Sequence, residues 1–247
     1  MDLYDRNILD EFFTVGYFIK ERLFSLEEVE VISEIFDRIQ AKAESLTTSS
    51  YVDGTQFIVE KNQISRVVWT CAMEPLLKKY ATDPRITRPI SQVLGSKTMQ
   101  HLICQAHFKL PGDGVKFSWH QDSDHRRFGT DMWHDVNGRG SYVQSILAID
   151  PMTHENAPIM VLPGSCKEGH LGLSKRENAT EFVNEEDLQP VIMEPGSVLF
   201  FGPYLIHGSK ENTSDKPRRV FINGFAYPGA NSRIYPGQGA GYMHSIA

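Results

Sequence analysis

Residues 194–201, EPGSVLFF, join a Pro-Gly turn to a short run of apolar and aromatic residues. Runs of this composition favour β-strands, and turns of this kind connect strands that follow one another directly. Similar runs lie after residue 95, at 99–110, 142–149, 158–162 and 220–227. Because helical patterns separate few of them, they predict a β-sandwich or barrel rather than alternating βαβ units.

The chain before residue 95 has a mainly helical pattern. Ser25 and Glu28 have the spacing of a capping box at the start of a helix. The positions that follow repeat an apolar residue every three or four places, namely Val29, Ile32, Ile35, Phe36 and Ile39. Further helices are predicted at 73–80 and 85–94, with a short strand at 17–19 and an irregular polar segment at 46–63.

The order of these patterns predicts a single domain over residues 1–247, mainly β with N-terminal helices. It divides into a helical support region at 1–95, a β core at 96–227 and a C-terminal loop or lid at 228–247. The last segment is rich in Gly, Pro and Tyr, which is typical of an ordered loop.

Composition and charge argue against several classes of protein. The net charge of −6 and the pI of about 5.8 disfavour a nucleic-acid binder, which needs a basic face. No apolar run approaches the roughly 20 residues of a membrane span. Residues 1–13 are acidic where a signal peptide is basic and then apolar, so a cytoplasmic protein is predicted. The three cysteines contain no Cys-x-x-Cys pair and predict neither a disulfide framework nor a zinc site.

A candidate metal site begins with His120 and Asp122. Residues two apart on a strand point the same way, so this imidazole and this carboxylate could share one ion. The pair alone is weak evidence, because His-x-Asp is common and, with the polar residues that follow, it fits a surface turn better. His207, at the end of a later apolar run, supplies a second imidazole. Two histidines and one carboxylate are the ligand set expected of mononuclear non-heme Fe(II) oxygenases.

Two further residue types strengthen this hypothesis. Arg218 opens the strand after His207, and an arginine there can hold a carboxylate through two parallel hydrogen bonds. Ser209 lies two residues after His207, on the same face of the strand, and can add a hydroxyl group. Arg219 should face the other way, as a solvated surface residue.

The order of these blocks resembles the phytanoyl-CoA dioxygenase (PhyH) family of Fe(II)- and 2-oxoglutarate-dependent oxygenases. The matching blocks are His120-x-Asp122, VLPGSCKEGH at 161–170, PGSVLFF at 195–201, His207-Gly208-Ser209, and Arg218. The resemblance covers nearly the whole chain. It implies a double-stranded β-helix (a jelly-roll, cupin-like core) flanked by helices. It also implies Fe(II) as cofactor, 2-oxoglutarate and O2 as co-substrates, and succinate and CO2 as products.

The resemblance also implies roles for single residues. On this basis the iron ligands are His120, Asp122 and His207, and the 2-oxoglutarate contacts are Arg218, Ser209, Gln105 and Phe117. Halogenases of similar fold replace the carboxylate ligand with a small residue, so Asp122 favours hydroxylation.

The substrate is predicted to be a small organic molecule such as an amino acid or a natural product. The long loop at 123–141 borders the expected pocket mouth, and its candidates for substrate contact are Arg127, Trp133 and His134, alongside Arg126 and Arg139. Taken singly, each of these fits better as a solvated or packed loop residue. An acyl-CoA substrate is not expected, because Arg126-Arg127 is the only concentrated basic run. Neither a nucleic acid nor a membrane is an expected partner, and the protein is expected to be a monomer or a homodimer.

Two other functions remain open from the sequence. One is a jelly-roll module that binds a small molecule or sugar without oxygenase activity, and it has no need of Arg218 and Ser209 at this spacing. The other is a cupin-type enzyme that uses a different metal without 2-oxoglutarate, and it should be indifferent to Arg218→Ala.

Overall fold

A computed structural model describes residues 6–60, 63–173 and 183–246 of the chain. Residues 1–5 of the acidic N-terminal stretch lie outside it. The elements are α1 (Arg6–Thr14), β1 (Tyr17–Lys20), α2 (Leu26–Glu44), β2 (Ser50–Val52), β3 (Thr55–Glu60), β4 (Gln63–Val68), α3 (Thr70–Met73), α4 (Pro75–Ala81), α5 (Pro84–Leu94), β5 (Thr98–His107), β6 (Phe117–His120), α6 (Asp122–His125), β7 (Tyr142–Ala148), β8 (Met160–Val161), β9 (Gln189–Pro190), β10 (Val198–Phe201), β11 (His207–Ser209), β12 (Val220–Ala226) and β13 (Tyr242–Ser245). Within these residues no helix has both the length and the apolar character that crossing a membrane requires.

The strands form two antiparallel sheets. The larger has the order β1-β10-β7-β12-β5-β4-β3-β2, with β13 also paired to β5, and the smaller has the order β6-β11-β8-β9. Ile146 and Ile222 of the larger sheet share one buried cluster with Val161 of the smaller sheet, so the two sheets pack face to face. The two-sheet, mainly β core expected from the sequence is confirmed.

Strand β12 shows how the larger sheet separates two environments. Val220 and Ile222 point into the space between the sheets, whereas Phe221 and Phe225 belong to the cluster on the opposite face. This is the alternation of a strand that is covered on both sides. The inner face is therefore available to line a site, and the outer face must be covered by other elements.

Helix α2 provides part of that cover. Ser25 and Glu28 make both hydrogen bonds of the predicted capping box, and the predicted apolar stripe is buried. The Phe36 ring lies 5.6 Å from that of Phe108 and 6.1 Å from that of Phe221, between ring centres. Burial of this stripe fixes the helix on the outer face of the larger sheet.

The expectation of an irregular segment at 46–63 is wrong. Strands β2 and β3 form a hairpin through Asp53 and Gly54, which have φ angles of 49° and 78°. Asp-Gly is a strong signal for a turn that needs two left-handed residues. Gly54 indicated a turn from the sequence, but the polar composition around it concealed the two strands that the turn connects. Strand β4 then pairs with β5, so the region predicted as helical support also extends the larger sheet.

The C-terminal segment is only partly a loop. Strand β13 pairs with β5, with Tyr242 opposite His101 and Ser245 opposite Thr98. The segment before it packs against the rest of the chain, since Tyr235 is buried. The predicted loop or lid at 228–247 therefore ends in a strand on the sheet.

Cys71 of α3 and Cys104 of β5 form a disulfide, contrary to the expectation from the sequence. The two cysteines are 33 residues apart, so no short spacing motif indicates the pairing. Their partnership results from the way α3 packs beside β5. Cys166 is a free cysteine.

We expect the buried His101 to make the protein sensitive to acid. Burial lowers the pKa of His101 to about 4, against a weaker opposing effect of its hydrogen bond with Asn223. The unfolded chain takes up a proton near pH 6.5, which the folded chain resists down to about pH 4, so stability is lost as the pH falls through this window. Between these two pKa values, His101 lowers the free energy of unfolding by about 1.4 kcal/mol for each pH unit of acidification.

Urea unfolding of the metal-free protein between pH 7.5 and pH 4 checks this prediction. His101→Gln is expected to lower the dependence of the unfolding free energy on pH by about that slope, although it also costs stability at pH 7.5. Equal slopes in the two proteins would show that His101 does not contribute to the acid sensitivity.

Candidate active site

A cavity of about 490 Å³ lies between the two sheets. Gln105, Ile146 and Ile222 line it from the larger sheet, and His120 and His207 line it from the smaller sheet. Its volume is within the range of pockets that hold small molecules. The inner faces of both sheets therefore enclose a candidate site.

The structure brings His120, Asp122 and His207 together on one side of this cavity. His120 ends β6 and lies directly across from His207 of β11. The sequence suggested that Asp122 reaches the two rings through the alternation of a strand. Asp122 is instead the first residue of α6, and it reaches the rings through a helical turn. One potential ligand atom from each of the three residues lies within 4.8 Å of the other two.

The hydrogen bonds of the two rings suit a metal. Nδ1 of His120 lies 2.7 Å from the Ser118 carbonyl oxygen, and Nδ1 of His207 lies 3.0 Å from the Leu205 carbonyl oxygen. Because a carbonyl oxygen only accepts, Nδ1 carries the proton in both rings and the lone pair of each Nε2 is free to bind an ion. Such partners behind metal-bound histidines fix the orientation of the ring.

Asp122 fits the same purpose. Its side chain is buried, and Oδ2 has no hydrogen-bond partner among the described residues. A buried carboxylate oxygen without a partner is costly unless an ion or a donor satisfies it. The three side chains therefore fit a divalent cation, and their mixture of nitrogen and oxygen donors suits Fe(II).

The charges around the triad favour the protonation states that a metal requires. Burial, and then the nearby His120, lower the pKa of His207 to about 4. Burial opposes ionisation of Asp122, but His207 and Arg126 outweigh it and hold the pKa of this carboxyl below its usual value. Near neutral pH His207 is therefore a neutral imidazole and Asp122 a carboxylate, the forms that bind cations.

A second group of predicted residues lines the cavity where β12 begins. The Arg218 side chain is 2% exposed, and no hydrogen-bond partner of its Nε lies within the described ranges. Burial lowers the pKa of Arg218 to about 10, so the guanidinium stays charged at neutral pH. Ser209 lines the same wall, opposite Phe117 in the β11–β6 pairing. The structure thus places a buried cation and a hydroxyl beside the triad.

Gln105 and Phe117 are connected through His107. The His107 Nε2 lies 2.8 Å from the Gln105 Oε1, and the His107 ring stacks on Phe117 with 5.3 Å between ring centres. Burial lowers the pKa of His107 to about 3, so the ring is neutral and Nε2 donates its proton to the amide oxygen. The NH2 group of Gln105 is thereby fixed in orientation.

Arg219 lies on the outer face, as its position next to Arg218 predicted. It is not solvated, however, because its guanidinium donates to Asp150 at 2.8 Å, to Asp37 at 2.6 Å and to the Ser33 hydroxyl at 2.9 Å. Two adjacent arginines therefore face opposite sides of the same strand.

Of the loop residues proposed to contact substrate, Arg126 and Arg127 line the cavity. Trp133, His134 and Arg139 are not among the described residues that line it. Trp133 is buried in the core instead, stacked on Phe128 with 5.0 Å between ring centres and packed edge-on against Tyr142. Trp133 therefore orders the loop, and the exposed His134 lies outside the cavity.

Other residues of the cavity were not assigned from the sequence. They include Gln56, Ile58 and Arg66 from the β3–β4 hairpin, His125 after Asp122, and Arg233, Tyr235 and Pro236 from the C-terminal segment. The hairpin residues were missed because their strands were missed. Alternation at Gln56 and Ile58, after the Asp-Gly turn, is the signal that would have placed them on one face. The His125 ring lies 5.0 Å from that of His120, but His125 is not part of the triad.

Residues 12–220 match the model of the family described as phytanoyl-CoA dioxygenase (PhyH). The chain belongs to this family. Among curated relatives, the ectoine dioxygenase of Sphingopyxis alaskensis is 24% identical over 82% of this chain and 69% of its own length. That of Bordetella bronchiseptica is 27% identical over 84% and 70%. The methylphosphonate hydroxylase of Gimesia maris is 30% identical over 46% of this chain and 40% of its own.

Solved structures of similar fold include EctD of S. alaskensis with 2-oxoglutarate and 5-hydroxyectoine. Its TM-score is 0.75 at 21% identity, over 92% of this chain and 78% of that one. The epimerase SnoN has a TM-score of 0.68 at 14% identity, over 98% and 94%. The predicted jelly-roll fold is confirmed. This member of the PhyH family is an Fe(II)- and 2-oxoglutarate-dependent dioxygenase, and the two alternative functions are set aside.

Proposed function

We propose that this PhyH-family protein hydroxylates an unactivated C–H bond of a small organic molecule, with release of succinate and CO2. The observation that carries the proposal is the shared cavity of the His120–Asp122–His207 triad and the buried Arg218. A metal-binding triad alone is compatible with many kinds of metal site. A buried guanidinium beside it supplies the second feature that an organic diacid needs.

Each of the predicted metal and 2-oxoglutarate contacts has a part in this proposal. His120, Asp122 and His207 would hold the iron, which together with 2-oxoglutarate and O2 supplies the oxidising chemistry. Arg218 and Ser209 bind the far carboxylate of 2-oxoglutarate. Gln105, fixed by His107, and the Phe117 ring form the adjoining wall. The protein's own contribution is to orient both organic molecules and to exclude water from them.

The presence of Asp122 supports hydroxylation over halogenation. A halide needs a position at the metal that a small residue would leave open, and here the Asp122 carboxylate would fill it. The cavity volume of about 490 Å³ supports a small substrate.

The larger sheet also supports the proposal of one domain over residues 1–247. It runs from β1, near the N-terminus, to β13, near the C-terminus, so the described parts of the chain share one sheet. A cytoplasmic location and a monomeric or homodimeric state stay predictions.

Anaerobic addition of Fe(II) and 2-oxoglutarate tests the proposed function. We expect a weak visible charge-transfer band and a measurable heat of 2-oxoglutarate binding, both absent when EDTA is present. Under air, a screen of small organic molecules should then identify compounds that raise succinate formation above the uncoupled background. Absence of both the band and the heat would contradict the proposal.

A further inference from the structure

The pairing of the strands gives the cavity two ends. At one end Ser209 pairs with Phe117, whose ring stacks on His107, and His107 pairs with Val220 at the start of β12. This is the end at which Arg218 lies. The opposite end lies toward Gln144 of β7, which lines the cavity and pairs with Gly224 of β12. The distance from Val220 to Gly224 is about 13 Å at roughly 3.3 Å per residue.

The triad lies between these ends, and Arg126 lies toward the second. In β11, His207 is two residues before Ser209 and lies across from His120. Asp122 follows in α6, and the Arg126 amide donates to the Asp122 carbonyl oxygen at 2.9 Å. The Arg126 guanidinium lies 5.1 Å from the centre of the Tyr142 ring. The cavity therefore has one buried guanidinium on each side of the metal ligands.

Arg126 is held in place but is not satisfied. It is 7% exposed, and its Nε and Nη1 have no hydrogen-bond partner in the described part of the chain. The rings of Tyr142 and Tyr235 lie 5.1 Å and 4.9 Å from the guanidinium. Contacts between a guanidinium and aromatic rings orient its plane and leave its N–H edge available for an oxyanion.

The charge of the whole cavity has the same sign as Arg126. Its lining includes Arg66, Arg126, Arg127, Arg218 and Arg233, against the carboxylates Asp122 and Asp124. A ferrous ion and a 2-oxoglutarate dianion add equal and opposite charges, so the loaded site keeps an excess of positive charge. Buried N–H groups without an acceptor, such as Nε and Nη1 of Arg126, are costly, and an anionic ligand that accepts from them removes that cost.

We propose that the Arg126 end of the cavity binds the oxyanion group of a small organic acid, and that this acid is the substrate. The inference rests on the proposed function, since it places the bound acid on the side of the triad away from 2-oxoglutarate. The guanidinium edge of Arg126 receives the carboxylate or phosphonate group. The rest of the acid then extends toward the triad, where its C–H bond is hydroxylated.

Binding of matched acids and amides to the anaerobic complex with Fe(II) and 2-oxoglutarate tests this inference. The probes are the carboxylates from butyrate to octanoate, their primary amides, and the alkylphosphonates of the same chain lengths. Saturating 2-oxoglutarate occupies Arg218, so ligand-observed NMR and changes in the visible band report the other end. We expect acids to bind at least tenfold tighter than their amides, and the comparison of carboxylates with phosphonates shows which oxyanion fits.

Two variants and a control locate the effect. Arg126→Gln is expected to weaken acid binding at least tenfold, to remove the preference over amides, and to leave the 2-oxoglutarate band intact. Arg126→Lys, which keeps the charge without the fork, should restore part of the preference. Arg139→Gln removes a charge from the same loop outside the cavity lining and should change acid binding less than twofold.

The inference is overturned if no acid binds, if acids and amides bind equally, or if Arg126→Gln keeps the preference while its band is intact. Failure of the proposed function looks different, because the wild-type protein then lacks the band altogether. In that case Arg126 is tested separately by NMR without metal, because the preference for acids should be lost in Arg126→Gln and kept in Arg218→Ala.

Discussion

Replacing Asp122 by alanine is expected to abolish Fe(II)-dependent stabilisation and to lower turnover by more than about 10²-fold. Loss of a residue behind a metal ligand typically costs about 10–100-fold in metal affinity or activity, and loss of a ligand itself costs more. Asp122 is the one carboxylate of the triad, and its buried Oδ2 has no partner among the residues that the structure describes. Without it, two imidazoles would have to hold a divalent cation alone.

Thermal unfolding with and without Fe(II), under nitrogen, measures this loss independently of turnover. The wild-type protein should gain stability with Fe(II) according to the ratio of metal concentration to Kd, and Asp122→Ala should gain none. Asp124→Asn is the matched control, because Asp124 lies in the same short helix and lines the same cavity but is not part of the triad. The Asp124→Asn protein should keep the gain in thermal stability with Fe(II). A full shift in Asp122→Ala would exclude this carboxylate as a ligand.

Much of the candidate site could be predicted because its chemistry is local in sequence. His120 and Asp122 are two residues apart, as are His207 and Ser209, and the order of the blocks carried the family resemblance. The meeting of the two pairs could not be derived from spacing alone. It depends on the pairing of β6 with β11, which sets His120 across from His207.

The missed parts depend on contacts between distant segments. The β3–β4 hairpin brings Gln56 and Arg66 to the cavity, but its polar residues matched an irregular segment. Whether a tryptophan in a loop contacts substrate or packs in the core is equally hard to predict, because it depends on which side chains surround the ring. Trp133 packs against Phe128 and Tyr142, and neither contact follows from a periodic pattern.

Helices and strands with one clear apolar face were predicted well. The α2 stripe and the end of α5 at Gly95, whose φ is 69°, follow from local rules. The Cys71–Cys104 disulfide and the short strand β13 do not, because each depends on its contacts with β5.

Arg218→Ala and Arg219→Ala are expected to have opposite effects, although the two residues are adjacent. Loss of Arg218 removes two charge-assisted hydrogen bonds to 2-oxoglutarate, worth about 3–5 kcal/mol together, or roughly 10²–10⁴-fold in affinity. The metal-free Arg218→Ala protein should be at least as stable as the wild type, because it no longer buries a cation whose Nε lacks a partner in the described chain.

Arg219→Ala should instead keep the affinity for 2-oxoglutarate and lose stability. Its guanidinium pairs with Asp150, whose side chain is 13% exposed, and with Asp37, which is 66% exposed. Leaving Asp150 unpaired should cost about 2–3 kcal/mol, below the cost of breaking a fully buried pair because Asp37 returns to solvent. Anaerobic titration of the visible band gives the affinities, and urea unfolding gives the stabilities. Arg219 does not face the cavity, so its loss can weaken 2-oxoglutarate binding only by distorting β12. Weaker binding in both variants would therefore point to such a distortion and against a direct role of Arg218.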